Sequence, residues 1–171
     1  CITAEGHDFE SNFRYIAPYI EEYDYAVANL ETTFGGDDYI YQGNPAFNCP
    51  DALAANAAEV GYDMFLTSNN HSGDTMADGI IRTLEVSREA GLATLGSQMP
   101  GEPRYSIVEV NGIKIGMINY TYADIQDDRN TFVINDMQVD SKSAGLINIF
   151  DYANLDLFYN EMENHISGMR A

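Results

Sequence analysis

The sequence predicts an α/β fold, a sheet flanked by helices, and three observations carry that expectation. Short apolar runs of strand length alternate with helix-length segments through residues 25–95. Two of those helical segments run into a glycine, the residue best suited to a helix C-terminus. Further on, an Asn-Gly dipeptide joins two β-rich runs.

Taken in order, residues 9–22 (FESNFRYIAPYIEE) place Phe9, Phe13, Ile16, Ala17 and Ile20 at helical spacing, with Pro18 as a kink or stop. Residues 25–30 (YAVANL) are a first strand. Residues 32–48, rich in Gly, Asp, Asn and Tyr, form a long loop of the kind that often carries function. Pro50 suits a first helical turn, residues 51–60 are an alanine-rich helix, and Gly61 stops it. Residues 64–67 are a second strand, followed by the polar turn SNNHSGD. Residues 77–90 are a helix with Ile80, Ile81, Leu84 and Val86 inward, closed by Gly91, and residues 92–95 are a third strand. Residues 105–110 and 113–118, joined by Asn111-Gly112, are a hairpin with a type I′ turn, and Tyr120-Thr121-Tyr122 extends its second strand. Residues 123–144 are polar and carry no assignable element. Residues 154–170 are a last helix with Leu155, Phe158, Met162 and Ile166 on one face.

At 171 residues one domain is expected, and 45% apolar with 20% charged residues is a folding composition rather than a disordered one. Acidic residues number 27 against 8 basic ones, a net charge of −19 with no basic patch. Such a surface repels nucleic acid and anionic membranes, so no nucleic-acid partner is expected. Cys1 and Cys49 do not make a zinc-binding spacing; they are free, paired, or in the case of Cys1 a lipid-attachment residue. No apolar run reaches the ~20 residues of a membrane span. The chain starts without Met, as a processed or excised piece would.

In sheets of this kind ligands bind beyond the carboxyl ends of the strands. Asn29 and Glu31 end the first strand, and Asn69, Asn70 and His71 follow the second. Glu31 offers a carboxylate, Asn70 a carbonyl oxygen and His71 an imidazole, a donor set suited to Mg, Mn, Zn or Fe(II). Such ions assist hydrolysis; a neighbouring His positions substrate or acts as general acid, and Asp74 is placed to orient its ring. If the two strands are parallel neighbours, Glu31 and Asn70 face one cleft with His71 at its rim. Asn29, Asn69, Tyr39 and Tyr41 are the candidate substrate contacts. Each of these residue types also serves plainly structural ends, the Asn pair in turns above all. His7 and His165 are read as structural or solvent-facing, and Asp37-Asp38 as a solvated turn. No G-x-S-x-G, P-loop or G-x-G-x-x-G motif is present.

The strings ANLETTFGG, GNPAFNCP, MFLTSNNHSGD, GLATLGS and VNGIKIGMINYTYA, in that order, resemble the bacterial capsule-synthesis CapA family, named for poly-γ-glutamate capsule proteins. The resemblance runs from about residue 8 to Tyr122, and more weakly through the final helix. It implies part of a calcineurin-like metallophosphoesterase α/β/β/α sandwich with a two-metal site. Glu31 and Asn70 match metal-ligand positions and His71 the residue beside the metals. It also implies an exported protein held at the cell surface. Relatives carry a Gly-Asp motif before a segment like residues 2–13, and later His-Trp-Gly and His-rich motifs. The expectation is therefore that residues 1–171 are the N-terminal portion of a single such domain, binding divalent metal weakly by itself. Two functions follow from the resemblance. One is a metal-dependent hydrolase of the envelope, acting on a phosphoester or an anionic polymer such as poly-γ-glutamate. The alternative is a non-catalytic protein that binds or assembles capsule polymer, with capsule-synthesis membrane proteins as partners.

Overall fold

The computed structural model describes residues 9–125 and 131–170, so the readings of Cys1 and His7 lie outside the described residues. The expected N-terminal helix is two four-residue helices, α1 (Glu10–Phe13) and α2 (Ala17–Ile20). Pro18 stands in the first turn of α2, where its missing N–H is no loss, so it begins a helix instead of ending one. The break between the two removes the common face that the helical spacing implies: Phe9 is buried but Ile16 is 42% exposed.

The βα alternation is present. Strands β1 (Val27–Asn29), β2 (Met64–Leu66) and β3 (Ala93–Leu95) form a parallel sheet in that order. Helix α3 (Ala52–Glu59) connects the first pair and α4 (Met76–Glu89) the second. Gly61 and Gly91, at φ +97° and +93°, turn the chain just past these helices, as the sequence predicts. Leu30, Phe34, Ala54, Ala57, Phe65 and Leu92 close one core between sheet and helices. Ile80 and Leu84 are buried beneath α4, with Ile81 and Val86 half-buried. Because Asn29 pairs with Leu66, and Leu66 with Leu95, the three carboxyl ends lie along one sheet edge.

Beyond it, β4 (Ser106–Val110) and β5 (Ile113–Met117) are the expected antiparallel hairpin, with Asn111 and Gly112 both at positive φ. The second strand is shorter than read. The chain leaves it after Met117, and Thr121–Tyr122 is a separate strand, β6. The unassigned stretch is ordered where described. Strands β7 (Asp124–Ile125), β8 (Thr131–Ile134) and β9 (Met137–Asp140) form an antiparallel sheet. Helix α5 (Ser141–Leu146) follows, its N-terminus capped by the Asp140 carboxylate accepting from Ser143 N–H at 2.7 Å. Strand β10 (Ile149–Phe150) then pairs in parallel with β6. A second core joins Ala77 and Ile80 of α4 to Ile134, Val139, Leu146 and Ile147.

The last helix, α6 (Leu155–Arg170), half-buries Leu155, Phe158 and Met162 as expected, but leaves Ile166 40% exposed. His165 takes the inward place, its side chain 13% exposed, against Tyr105 and within 3.3 Å of the Tyr120 hydroxyl. Among the described residues no helix is long and apolar enough to cross a membrane.

Candidate functional site at the strand ends

The loop after β1 is gathered around the buried Asn48 side chain. Asn48 Oδ1 accepts from Gly35 N–H at 2.7 Å, and Nδ2 donates to the carbonyls of Gly36 and Tyr39 at 3.1 Å each. Thr33 Oγ1 donates to Phe47 O at 2.8 Å, tying the loop's two limbs together. Arg82 of α4 anchors it from below, donating to Phe34 O and pairing in bidentate fashion with Asp51 at 2.7 Å. The long polar stretch is thus a built element, although its composition reads as loop.

After β2 the polar residues divide into two kinds. Asn69 is a brace: Nδ2 donates to Leu30 O at 2.8 Å and to Asn29 Oδ1 at 3.1 Å, while Oδ1 accepts from His71 N–H at 2.9 Å. It fastens the end of β1 to the end of β2. Ser68 and Asn119 exchange two hydrogen bonds, and Ser72 Oγ sits against Thr67 O and Asn69. Asn70 and Glu31 are of the other kind. Among the described residues neither side chain has a hydrogen bond or ion pair, so both oxygen donors are uncommitted.

His71 is 4% exposed. Its Nδ1 lies 2.8 Å from Asp74 Oδ2, and the same oxygen accepts from Phe47 N–H. The Phe47 ring packs on the imidazole with centroids 4.0 Å apart, and Asn135 Nδ2 stands 3.5 Å from Nε2. The Asp74 side chain is 3% exposed. That burial raises the Asp74 carboxyl above its ordinary value, opposed by the Phe47 N–H and by His71. An Nδ1–H donated to Asp74 leaves Nε2 as the working nitrogen of the ring.

A cleft of about 480 Å³ opens beside this pair. Glu31, Gln42, Phe47, Cys49 and Leu53 are among its walls. Phe47 therefore separates the cleft from His71, which is buried behind it and not at an open rim. Asn70 is not among the cleft's walls, and neither are Tyr39 and Tyr41. Tyr41 turns its hydroxyl to Asp37 Oδ1 at 2.8 Å, and burial is the first cause of its raised pKa. Among the described residues no three His, Cys, Asp or Glu side chains gather as a metal cluster. The donor chemistry of Glu31 and Asn70 nonetheless suits a hard divalent ion, since among the described residues neither side chain has another polar partner.

Three contributors escape a reading of the sequence by residue type: Phe47, Asn48 and Asn135. The signal for Asn135 was present, because Asn135-Asp136 separates the alternating runs TFVI and MQVD and takes positive φ at both positions. A phenylalanine or a buried asparagine inside a polar loop announces nothing by spacing alone.

A family model described as bacterial capsule synthesis protein PGA_cap matches residues 2–170. No curated protein matches the chain.

Proposed function

The chain belongs to the bacterial capsule synthesis protein family PGA_cap, and from that membership we propose that its strand ends form a metal-dependent, phosphoesterase-like hydrolytic site. The observation that carries the reading is the buried His71–Asp74 pair, set directly beside an uncommitted Asn70 and one strand away from an uncommitted Glu31. Glu31 and Asn70 would hold the ion through oxygen. A divalent cation (Mn, Zn, Fe or Mg) supplies Lewis-acid polarisation of a phosphoryl oxygen and a more acidic water.

The chain's own residues account for the rest. Asp74 accepts a hydrogen bond from Nδ1–H, fixes the ring's orientation and stabilises the imidazolium. His71 then delivers a proton from Nε2 to the leaving oxygen, displacing the long contact with Asn135. Asn69 sets the spacing of the two strand ends, and Asn29, exposed beside it, reaches substrate with Tyr39 and Tyr41 at the outer loop. Membership of a capsule family supports a place at the cell envelope, with capsule-synthesis membrane proteins as partners and a phosphoester or acidic polymer as substrate.

The test is Mn²⁺-dependent hydrolysis of phenyl phosphate, whose leaving oxygen is basic enough to need a proton, by the protein and by its His71→Gln and Glu31→Gln variants. Loss of general acid catalysis lowers the rate by about 10²-fold or more in the histidine variant. Equal rates in all three, or turnover indifferent to the cation, would exclude this site. Retention of acidic polymer without any turnover would favour the non-catalytic binding protein.

A further inference from the structure

We infer that the cleft beside Glu31 and Phe47 is a subsite for an uncharged organic group bearing amide or hydroxyl functions, and that it excludes anions. This deepens the proposed reaction, resting on it only for what the group is attached to. It favours a phosphoester with a neutral organic portion over an acidic polymer.

The cleft's walls decide its chemistry. Phe9, Phe47 and Leu53 present apolar surface, while Asn12, Thr32 and Gln42 present amides and a hydroxyl. Among the described walls the only carboxylate is Glu31, and no Lys or Arg is present. The thiol of Cys49 is pushed up to about 11 by burial and stays neutral near pH 7. Four of the chain's eight basic residues are engaged elsewhere. Arg82 pairs with Asp51, Arg88 with Glu102 and Lys142 with Asp78, and Arg104 is bound to Asn148 and neighbouring carbonyls. While no cation is bound, an anionic group entering this cleft would meet Glu31 with no Lys or Arg among the described walls, whereas a neutral amide or hydroxyl finds partners at Asn12 and Gln42. The volume suits a group of small-molecule size.

Cys49 is a reporter placed in the wall. In a Cys1→Ser background it is the remaining thiol of a two-cysteine chain, and methanethiosulfonate reagents read its surroundings. The probes are neutral methyl methanethiosulfonate and anionic sulfonatoethyl methanethiosulfonate, used on the protein in metal-free buffer. Each rate is divided by that at a reference thiol, Glu109→Cys in a Cys1→Ser, Cys49→Ser background, on the exposed hairpin. The neutral reagent is expected to be favoured at Cys49 by roughly tenfold. Glu31→Gln should shrink that preference, which is a ratio of rates and so does not depend on the thiolate fraction. Equal normalised rates, an anionic preference, or failure of the neutral reagent to enter would overturn the inference. None of these outcomes depends on hydrolysis, so the subsite and the reaction can fail separately.

Discussion

Replacing Asn48 tests whether one amide holds the loop that walls the site. In Asn48→Ala the Gly35 N–H and the carbonyls of Gly36 and Tyr39 lose their partners together. Gly35 and Gly36 are buried and Tyr39 is half-buried, so water replaces these bonds only in part. An unpaired buried group costs about 1–3 kcal/mol; with partial hydration at Tyr39 the sum is about 2–4 kcal/mol. The chain has no Trp, so urea unfolding is followed by far-UV circular dichroism. A slope of about 2 kcal/mol/M turns the loss into a midpoint shift of roughly 1–2 M.

Asn48→Asp sharpens the test. Its carboxylate keeps the bond from Gly35 but turns a donor into an acceptor facing two carbonyl oxygens. It should cost at least as much as alanine at pH 7. The new carboxyl has a folded-state pKa raised above its unfolded value, so the folded protein binds the extra proton. Stability of this variant should therefore rise as pH falls through that raised pKa, towards about 4. A loss below about 1 kcal/mol in Asn48→Ala, or no gain on acidification in Asn48→Asp, would refute the reasoning.

Gly96 stands at φ +114°, and an added Cβ would lie 2.6 Å from Ser68 N and 2.1 Å from Asn119 Oδ1. Gly96→Ala should cost about 2–3 kcal/mol or more in the same urea titration. Gly79 lies inside α4, where alanine ordinarily gains up to about 1 kcal/mol, but its Cβ would meet Thr75 Oγ1 at 2.0 Å. Gly79→Ala should therefore destabilise, and a raised melting temperature would contradict the packing described. Glu102 is held below its ordinary pKa by the hydrogen bond from Arg88, then by Met99 N–H. Its folded pKa is depressed, so its contribution is present above the unfolded value near 4.3 and is lost as pH falls through the folded one. Because the side chain is 38% exposed, Glu102→Gln should cost under about 1 kcal/mol at pH 7, a difference that disappears as pH falls through the lowered folded-state pKa.

What the sequence disclosed follows from how local each signal is. The parallel strands, their helices and the glycine stops rest on periodicity and on φ > 0, and residues 25–95 follow that reading closely. The Asn111-Gly112 hairpin is of the same kind. The first helix was misread because spacing alone does not show a change of axis between Phe13 and Ala17. Ile166 and His165 exchanged places because the α6 interface is partly polar: Glu161, Tyr105, Tyr120 and Arg104 meet there, and hydrophobicity does not mark such a face. At the site, the contact between His71 and Asp74 was legible as an i,i+3 pair. Phe47 reaches His71 from 24 positions earlier in the chain and Asn135 from 64 positions later, distances over which no local rule operates.

The central claim, that the ends of β1 and β2 share a cation, is tested most directly by paramagnetic broadening of backbone amide resonances in a Mn²⁺ titration. Broadening near an ion falls steeply with distance, so a weak site is located as well as a tight one. The account predicts earliest loss of the Glu31, Asn70 and His71 signals, abolished together in Glu31→Gln and in Asn70→Ala. Broadening that begins on the acidic surface, at Asp37 and Asp38 for example, and persists unchanged in both variants would contradict it.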